Sequence, residues 1–184
     1  AARSGDTVRL LKDTAVDAGA LTAAWNRTAE MELTLDLGGK TLTVNGQSSV
    51  ALGYGDSQKN QLTTADQKGF KADYTIKNGS IVAENATGVA VANFVVETDQ
   101  KLTLEGVTGD MRFKGNGSAF FIRGKGATLT VKNSEITSTG VYAVATNASN
   151  EVNHNVVIDI ENSSLTTDSS NGDNCALCVN VPAT

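Results

Sequence analysis

Apolar residues recur at alternate positions in five similar stretches of this chain: LTLDLGGKTL (33–42), DYTIKNGSI (73–81), KLTLEGVTG (101–109), TLTVKNSEI (128–136) and VIDIENSSL (157–165). A weaker sixth, DTVRLLKDT, occupies 6–14. Such alternation marks a strand with one buried face, and the Gly, Asn or Ser that follows marks a bend. Taking the second apolar residue of each strand as an anchor gives Leu10, Leu37, Ile76, Leu104, Val131 and Ile160, spaced by 27, 39, 28, 27 and 29 residues. The one irregular gap holds the polar stretch from Gly53 to Asp73, which reads as a loop inserted near 53–73 on one rung. Further strands follow most anchors: SVALG (49–53), GVAVAN (88–93), SAFFIRG (118–124), GVYAVATN (140–147) and CALCVNV (175–181).

A repeat of this length with two or three short strands and no helical period predicts a coil whose turns stack on one continuous core. The expectation is an all-β fold: a right-handed single-stranded parallel β-helix of about six rungs, one domain spanning 1–184. An immunoglobulin-like sandwich also has many short strands, but it does not call for near-identical strands at a fixed period.

In a stacked coil, equivalent positions of successive turns form files, so the sequence can be read vertically. Two positions after the anchors stand Lys12, Gly39, Asn78, Gly106, Asn133 and Asn162. Gly and Asn suit a left-handed corner, and Asn78, Asn133 and Asn162 form a structural ladder. One position after the anchors, facing solvent, Lys77, Glu105, Lys132 and Glu161 alternate in sign. That charge ladder reads as a strut that fixes register. One position before them are Arg9, Asp36, Thr75, Thr103, Thr130 and Asp159. Five positions after them, Ala15, Leu42, Ile81, Gly109, Ile136 and Leu165 form an inner file, with Met111 filling in for Gly109.

Charge and chemistry narrow the function. The net charge is −5 and no Lys/Arg cluster exists, which argues against a nucleic-acid partner and disfavours an anionic membrane surface. No apolar run is long enough for membrane insertion. Cys175 and Cys178 form a C-x-x-C, but on a strand they face opposite ways; Cys175 is expected inside and Cys178 outside, as free thiols. The single histidine, His154, sits in a polar turn. DSSNGDN (168–174) lacks the spacing of a calcium loop. No metal site and no cofactor are expected, and no catalytic residue stands out. Sequons at Asn26, Asn85, Asn147 and Asn162 accompany an Asn/Thr-rich composition. Among the few aromatics, Phe120 and Tyr142 share an inner face, and Trp25 covers the N-terminal end of the core. Phe121 and Tyr54 are left as candidate ligand-binding platforms.

LTLDLGGKTLTVNG (33–46), preceded by GDTVRLLKD (5–13), resembles the opening of pectin-lyase-like β-helix domains in surface proteins of gut bacteria. LTVKNSEI and YTIKNGSI look like their later rungs. The resemblance implies an extracellular, bacterial cell-surface module of a longer exported polypeptide, with further domains beside it. It would act as scaffold or adhesin, with a glycan or a host-surface protein as partner. The same superfamily includes polysaccharide lyases, the alternative reading, and galacturonan hydrolases. The hydrolases' NTD, DD, GHG and RIK motifs are missing here, and no catalytic position carries over.

Overall fold

A computed structural model describes residues 2–25, 30–46, 49–51, 71–85, 92–113, 117–146, 155–168, 174–180 and 183. The chain coils through three faces. On the first lie β1 (Asp6–Arg9), β3 (Met31–Asp36), the leading half of β6 (Ala72–Asn85), that of β8 (Gln100–Phe113), β10 (Thr128–Lys132) and β13 (Val157–Glu161). On the second lie β2 (Thr14–Asp17), β4 (Thr41–Asn45), the trailing halves of β6 and β8, β11 (Glu135–Ser138) and β14 (Ser164–Thr167). The third is a separate sheet of β5 (Val50–Ala51), β7 (Ala92–Val96), β9 (Ser118–Ile122), β12 (Tyr142–Thr146) and β15 (Cys175–Cys178). Every named strand pair is parallel. The fold is a parallel β-solenoid, and the sandwich is excluded.

The expected six rungs are corrected to about four complete turns. In the first turn helix α1 (Ala18–Trp25) stands where a third-face strand would run, and in the second the described part of that strand is Val50–Ala51. Among the described elements, helix α1 is the one that strand periodicity missed. Asp17 caps it, its Oδ1 accepting from the amides of Gly19 and Ala20 at 2.8 and 3.2 Å. Trp25 is buried, 5.0 Å from the Tyr74 ring, whose hydroxyl donates to the Trp25 carbonyl. Of the expected loop near 53–73, residues 72–73 belong to β6 and 53–70 lie outside the described residues.

The anchor file also needs correction, by two residues in its first two members. Register pairs Val8 with Leu35, Leu35 with Ile76, and then Leu104, Val131 and Ile160 in turn. Leu10 and Leu37 belong to the corner, where Leu37 is wholly buried. The cause is corner length. Between the last first-face residue and the first inner residue of the second face, three residues suffice in the later turns (78–80, 106–108, 133–135, 162–164). The first turn uses four, 10–13, and the second five, 37–41. The same lengthening puts Thr14, not Ala15, beside Leu42.

Inside, alternation places Leu33, Tyr74, Leu102, Leu129 and Ile158 in one file and Phe94, Phe120 and Val144 in another, with the two Phe rings stacked at 5.6 Å. Gly109 leaves a gap beside Ile136 that the buried Met111 side chain fills. Asn78, Asn133 and Asn162 take φ of 59°, 47° and 47°, and Gly106 takes 62° in the same column. Gly79 is required for another reason: a Cβ there would lie 2.5 Å from both Leu37 Cβ and the Lys40 carbonyl oxygen of the wider corner above it.

Two glycines on adjacent turns therefore respond differently. Gly79→Ala should lose roughly 1–3 kcal/mol from overpacking. Gly106→Asn should stay within about 0.5 kcal/mol of the parent, whereas Gly106→Ala should lose about 1 kcal/mol to left-handed strain. Urea denaturation of the three variants measures the order.

Candidate functional site

Corrected register extends the charge ladder from four members to six. Arg9, Asp36, Lys77, Glu105, Lys132 and Glu161 stand in one outward file, with signs alternating along its full length. Arg9 Nε lies 3.8 Å from Asp36 Oδ2, and Lys132 Nζ lies 3.1 Å from Glu161 Oε2. The Asp36 carboxyl is held below its usual range chiefly by the Gly38 amide, then by the Asn78 side-chain amide, with Arg9 adding a smaller pull. Lys132 is pushed up by its bond to Glu161, with Asp159 and Glu105 also nearby. Asn78 Nδ2 therefore bonds Asp36, and Gly106 interrupts the Asn column.

Beside the charges runs a file of hydroxyls. Thr7, Thr34, Thr75, Thr103 and Thr130 pair in succession and end at Asp159. Sequence alignment with Leu10 and Leu37 as anchors hid Thr7 and Thr34 from this file. The next outward column breaks the alternation: Glu32 pairs with Asp73, two acids in register, before Lys101 restores charge balance. Here a cleft of about 240 Å3 gathers Glu30, Glu32, Asp73, Asp99, Lys71 and Lys101. Its cations are already engaged, Lys71 with Glu30 at 3.9 Å and Lys101 with Asp73 at 3.8 Å.

The other faces hold two clusters that the sequence reading did not find. On the second, Arg112 donates to Glu84 Oε1 at 2.6 Å and twice to Asp110 Oδ2, at 2.9 and 2.7 Å; Asp110 and then Glu84 raise its pKa. Glu84 and Arg112 are 28 residues apart, one repeat, which is the signal that could have paired them. On the third, Arg123 Nε and Nη2 both reach Oε1 of Glu97. Glu97 is only 1% exposed, and burial pushes its carboxyl up while Arg123 pulls it down. Glu97 Oε2 and Gln100 Nε2 are buried without a hydrogen-bond partner.

Phe121 joins this third-face cluster. It lies outward between Val95 and Ala145, half-buried, with the Arg123 guanidinium 5.7 Å from its ring centroid. One side of the candidate sugar platform is thus already engaged. Tyr54, His154 and residues 169–173 lie outside the described residues. Cys175 and Cys178 are free and half-buried, and burial raises the Cys175 pKa. Tyr142, expected in the core, is half-buried. Among the described residues no group of three or more His, Cys, Asp or Glu side chains could hold a metal ion, and no helix is long and apolar enough to cross a membrane. Comparison with known protein families, curated proteins and solved structures finds no match to this chain.

Glu97 gives the pH dependence a testable sign. A carboxyl raised in the fold binds its proton more tightly there than in the unfolded chain. Its contribution to stability therefore falls as pH rises through the raised pKa, and it recovers as pH falls toward the ordinary carboxylate range. Glu97→Gln should flatten that segment of a melting-temperature-versus-pH curve. Arg123→Ala strands the buried carboxylate and should cost roughly 3 kcal/mol at neutral pH, less in mild acid; thermal melts across pH read both.

Proposed function

We propose that this chain is a right-handed, pectin-lyase-like β-helix module of an exported bacterial surface protein. It serves as a non-catalytic scaffold or adhesin that presents its first face to a glycan or a host-surface protein. Right-handedness is supported by the strong preference of parallel crossovers for that hand. The observation carrying the functional reading is the first face itself: a file of five threonines beside six charges of alternating sign, four of them joined in the ion pairs Arg9–Asp36 and Lys132–Glu161. Hydroxyls at strand spacing offer repeated hydrogen bonds to an extended polymer, and charges already paired to each other are poor acids and bases. No cofactor takes part.

A second reading, a polysaccharide lyase, is favoured by one place among the described residues. The Glu32–Asp73 step sets two acids in register beside Lys101 and Asp99, the types of group that a calcium-assisted proton abstraction from a uronate needs. The ion pairs there argue against it, because a base must be free to take a proton.

A glycan array probed with the full chain, with and without chelator, separates the readings, alongside a depolymerisation assay on pectin and other uronates. Binding without turnover and insensitive to chelation is expected, weakened several-fold by joint Thr75→Val, Thr103→Val and Thr130→Val replacement. Chelator-sensitive cleavage of a uronate polymer would instead establish the lyase.

A further inference from the structure

In the middle turns of the third face the Arg123 guanidinium lies over the outward Phe121 ring. Glu97, one turn back, keeps it there: Nε donates to Oε1 at 2.6 Å and Nη2 donates to the same oxygen. The arginine side chain is 20% exposed and the carboxylate side chain 1%. Water reaches the cation, and the acid is shut in.

Two stacked corners do the shutting. The Gln100 amide donates to the Glu97 carbonyl at 3.0 Å, and the Glu97 amide donates to Gln100 Oε1 at 2.9 Å, which closes a tight turn. The next corner lies directly against it, the Arg123 amide donating to the Val96 carbonyl and the Asp99 amide to the Lys125 carbonyl, each at 3.0 Å. Gly124, at φ 93°, permits that approach, because a Cβ there would lie 2.8 Å from the Thr98 amide nitrogen. Inside this enclosure Glu97 Oε2 has no hydrogen-bond partner. Of the described charged residues on the packed turns, Arg123, Asp99, Lys101 and Lys125, only Arg123 acts on the carboxyl. Lys101 is paired with Asp73, and Asp99 and Lys125 are exposed.

The two contacts of Arg123 differ in strength. A cation over an aromatic ring at a partly exposed site is worth less than the side-chain freedom an arginine regains on release. The charge-assisted bonds to Glu97 therefore hold it, and they persist only while the acid is ionised. Burial pushes the Glu97 carboxyl up, whereas the Gly38 amide and Asn78 hold Asp36 low. As pH falls, Glu97 takes its proton while Asp36 in the first-face ladder is still ionised.

We propose that Glu97 and Arg123 form an acid-released latch over Phe121. A proton from solvent settles on Oε2, the oxygen that accepts no hydrogen bond; Arg123 swings into water, and the Phe121 ring opens between Val95 and Ala145. The latch makes the aromatic surface of the third face available in mild acid and closes it at neutral pH. It does not depend on what the first face binds.

Nuclear magnetic resonance of the isotope-labelled full chain tests this. From neutral pH downward, the Arg123 Nε–H signal should be lost to exchange in the same step in which the Glu97 carboxyl carbon titrates, ahead of Asp36. A neutral gadolinium chelate, added as a relaxation probe, should broaden the Phe121 ring signals several-fold more below that step than above it. Glu97→Gln, a neutral stand-in for the protonated acid, should show the released arginine already at neutral pH, with a thermal melt confirming that it is folded. The titration of the parent chain decides the matter even if that variant does not fold. An Arg123 Nε–H signal that survives the Glu97 titration, a Phe121 ring equally accessible on both sides of the step, or a folded Glu97→Gln chain that still holds Arg123 overturns the inference.

Discussion

In a coil of parallel strands the backbone hydrogen bonds run along the coil axis, so each residue's neighbour in space is the equivalent residue one turn away. Register is then the governing constraint. A slip of one residue would turn every inner side chain outward, and here a single register holds from β1 through β3, β6, β8 and β10 to β13. The buried Leu/Ile/Val file, the threonine file and the six-charge ladder are consequences of that one alignment. No separate design is needed to bring Arg9 near Asp36 or Lys132 near Glu161. The stack does it.

Two kinds of interaction maintain the register, and their sizes differ. Each large inner side chain removed from water contributes roughly 1.5–3 kcal/mol, and the middle turns bury Tyr74, Phe94, Phe120, Leu102, Leu104 and Leu129 completely. Exposed ion pairs contribute little, since solvent and side-chain entropy offset most of the attraction. The core therefore drives stacking, while the ladder penalises wrong alignments by setting like charges side by side. Glu97 and Arg123 depart from this pattern, because their carboxylate is buried. That pair carries a desolvation cost the ladder avoids, and it ties the third-face corners of successive turns together.

Much of this was readable from the repeat. Strand positions in the last four turns, the left-handed Asn and Gly corners and the alternation from Lys77 to Glu161 all follow from residue type at a constant spacing. The first two turns misled because LTLDL offers apolar residues at both Leu35 and Leu37, and periodicity alone cannot tell a strand residue from an inward corner residue. Only the lengths of the wider corners decide it, and those depend on how Lys40 and Leu37 pack against Gly79. Helix α1 escaped notice because one short helix of small residues carries almost no amphipathic signal. The Arg112 cluster and the Glu97–Arg123 pair are not legible in first-face alternation, because they lie at the trailing ends of strands on the other faces, 28 and 26 residues from their partners.

The same constraint bears on what such a surface can do. Catalysis requires unlike groups to converge on one point with their proton affinities set apart. In-register stacking works the other way, spreading like side chains along a line and, in the six-charge ladder, setting each charge beside its opposite one turn away. Convergence can arise only where a file breaks its rule, and among the described residues the first face does so at Glu32 and Asp73. There Lys101 already pairs with Asp73, and Lys71 with Glu30. What the remaining files offer is repetition: the same hydroxyl or charge presented again at each strand spacing. Repetition suits a partner that is itself periodic, in keeping with the proposed binding of an extended polymer.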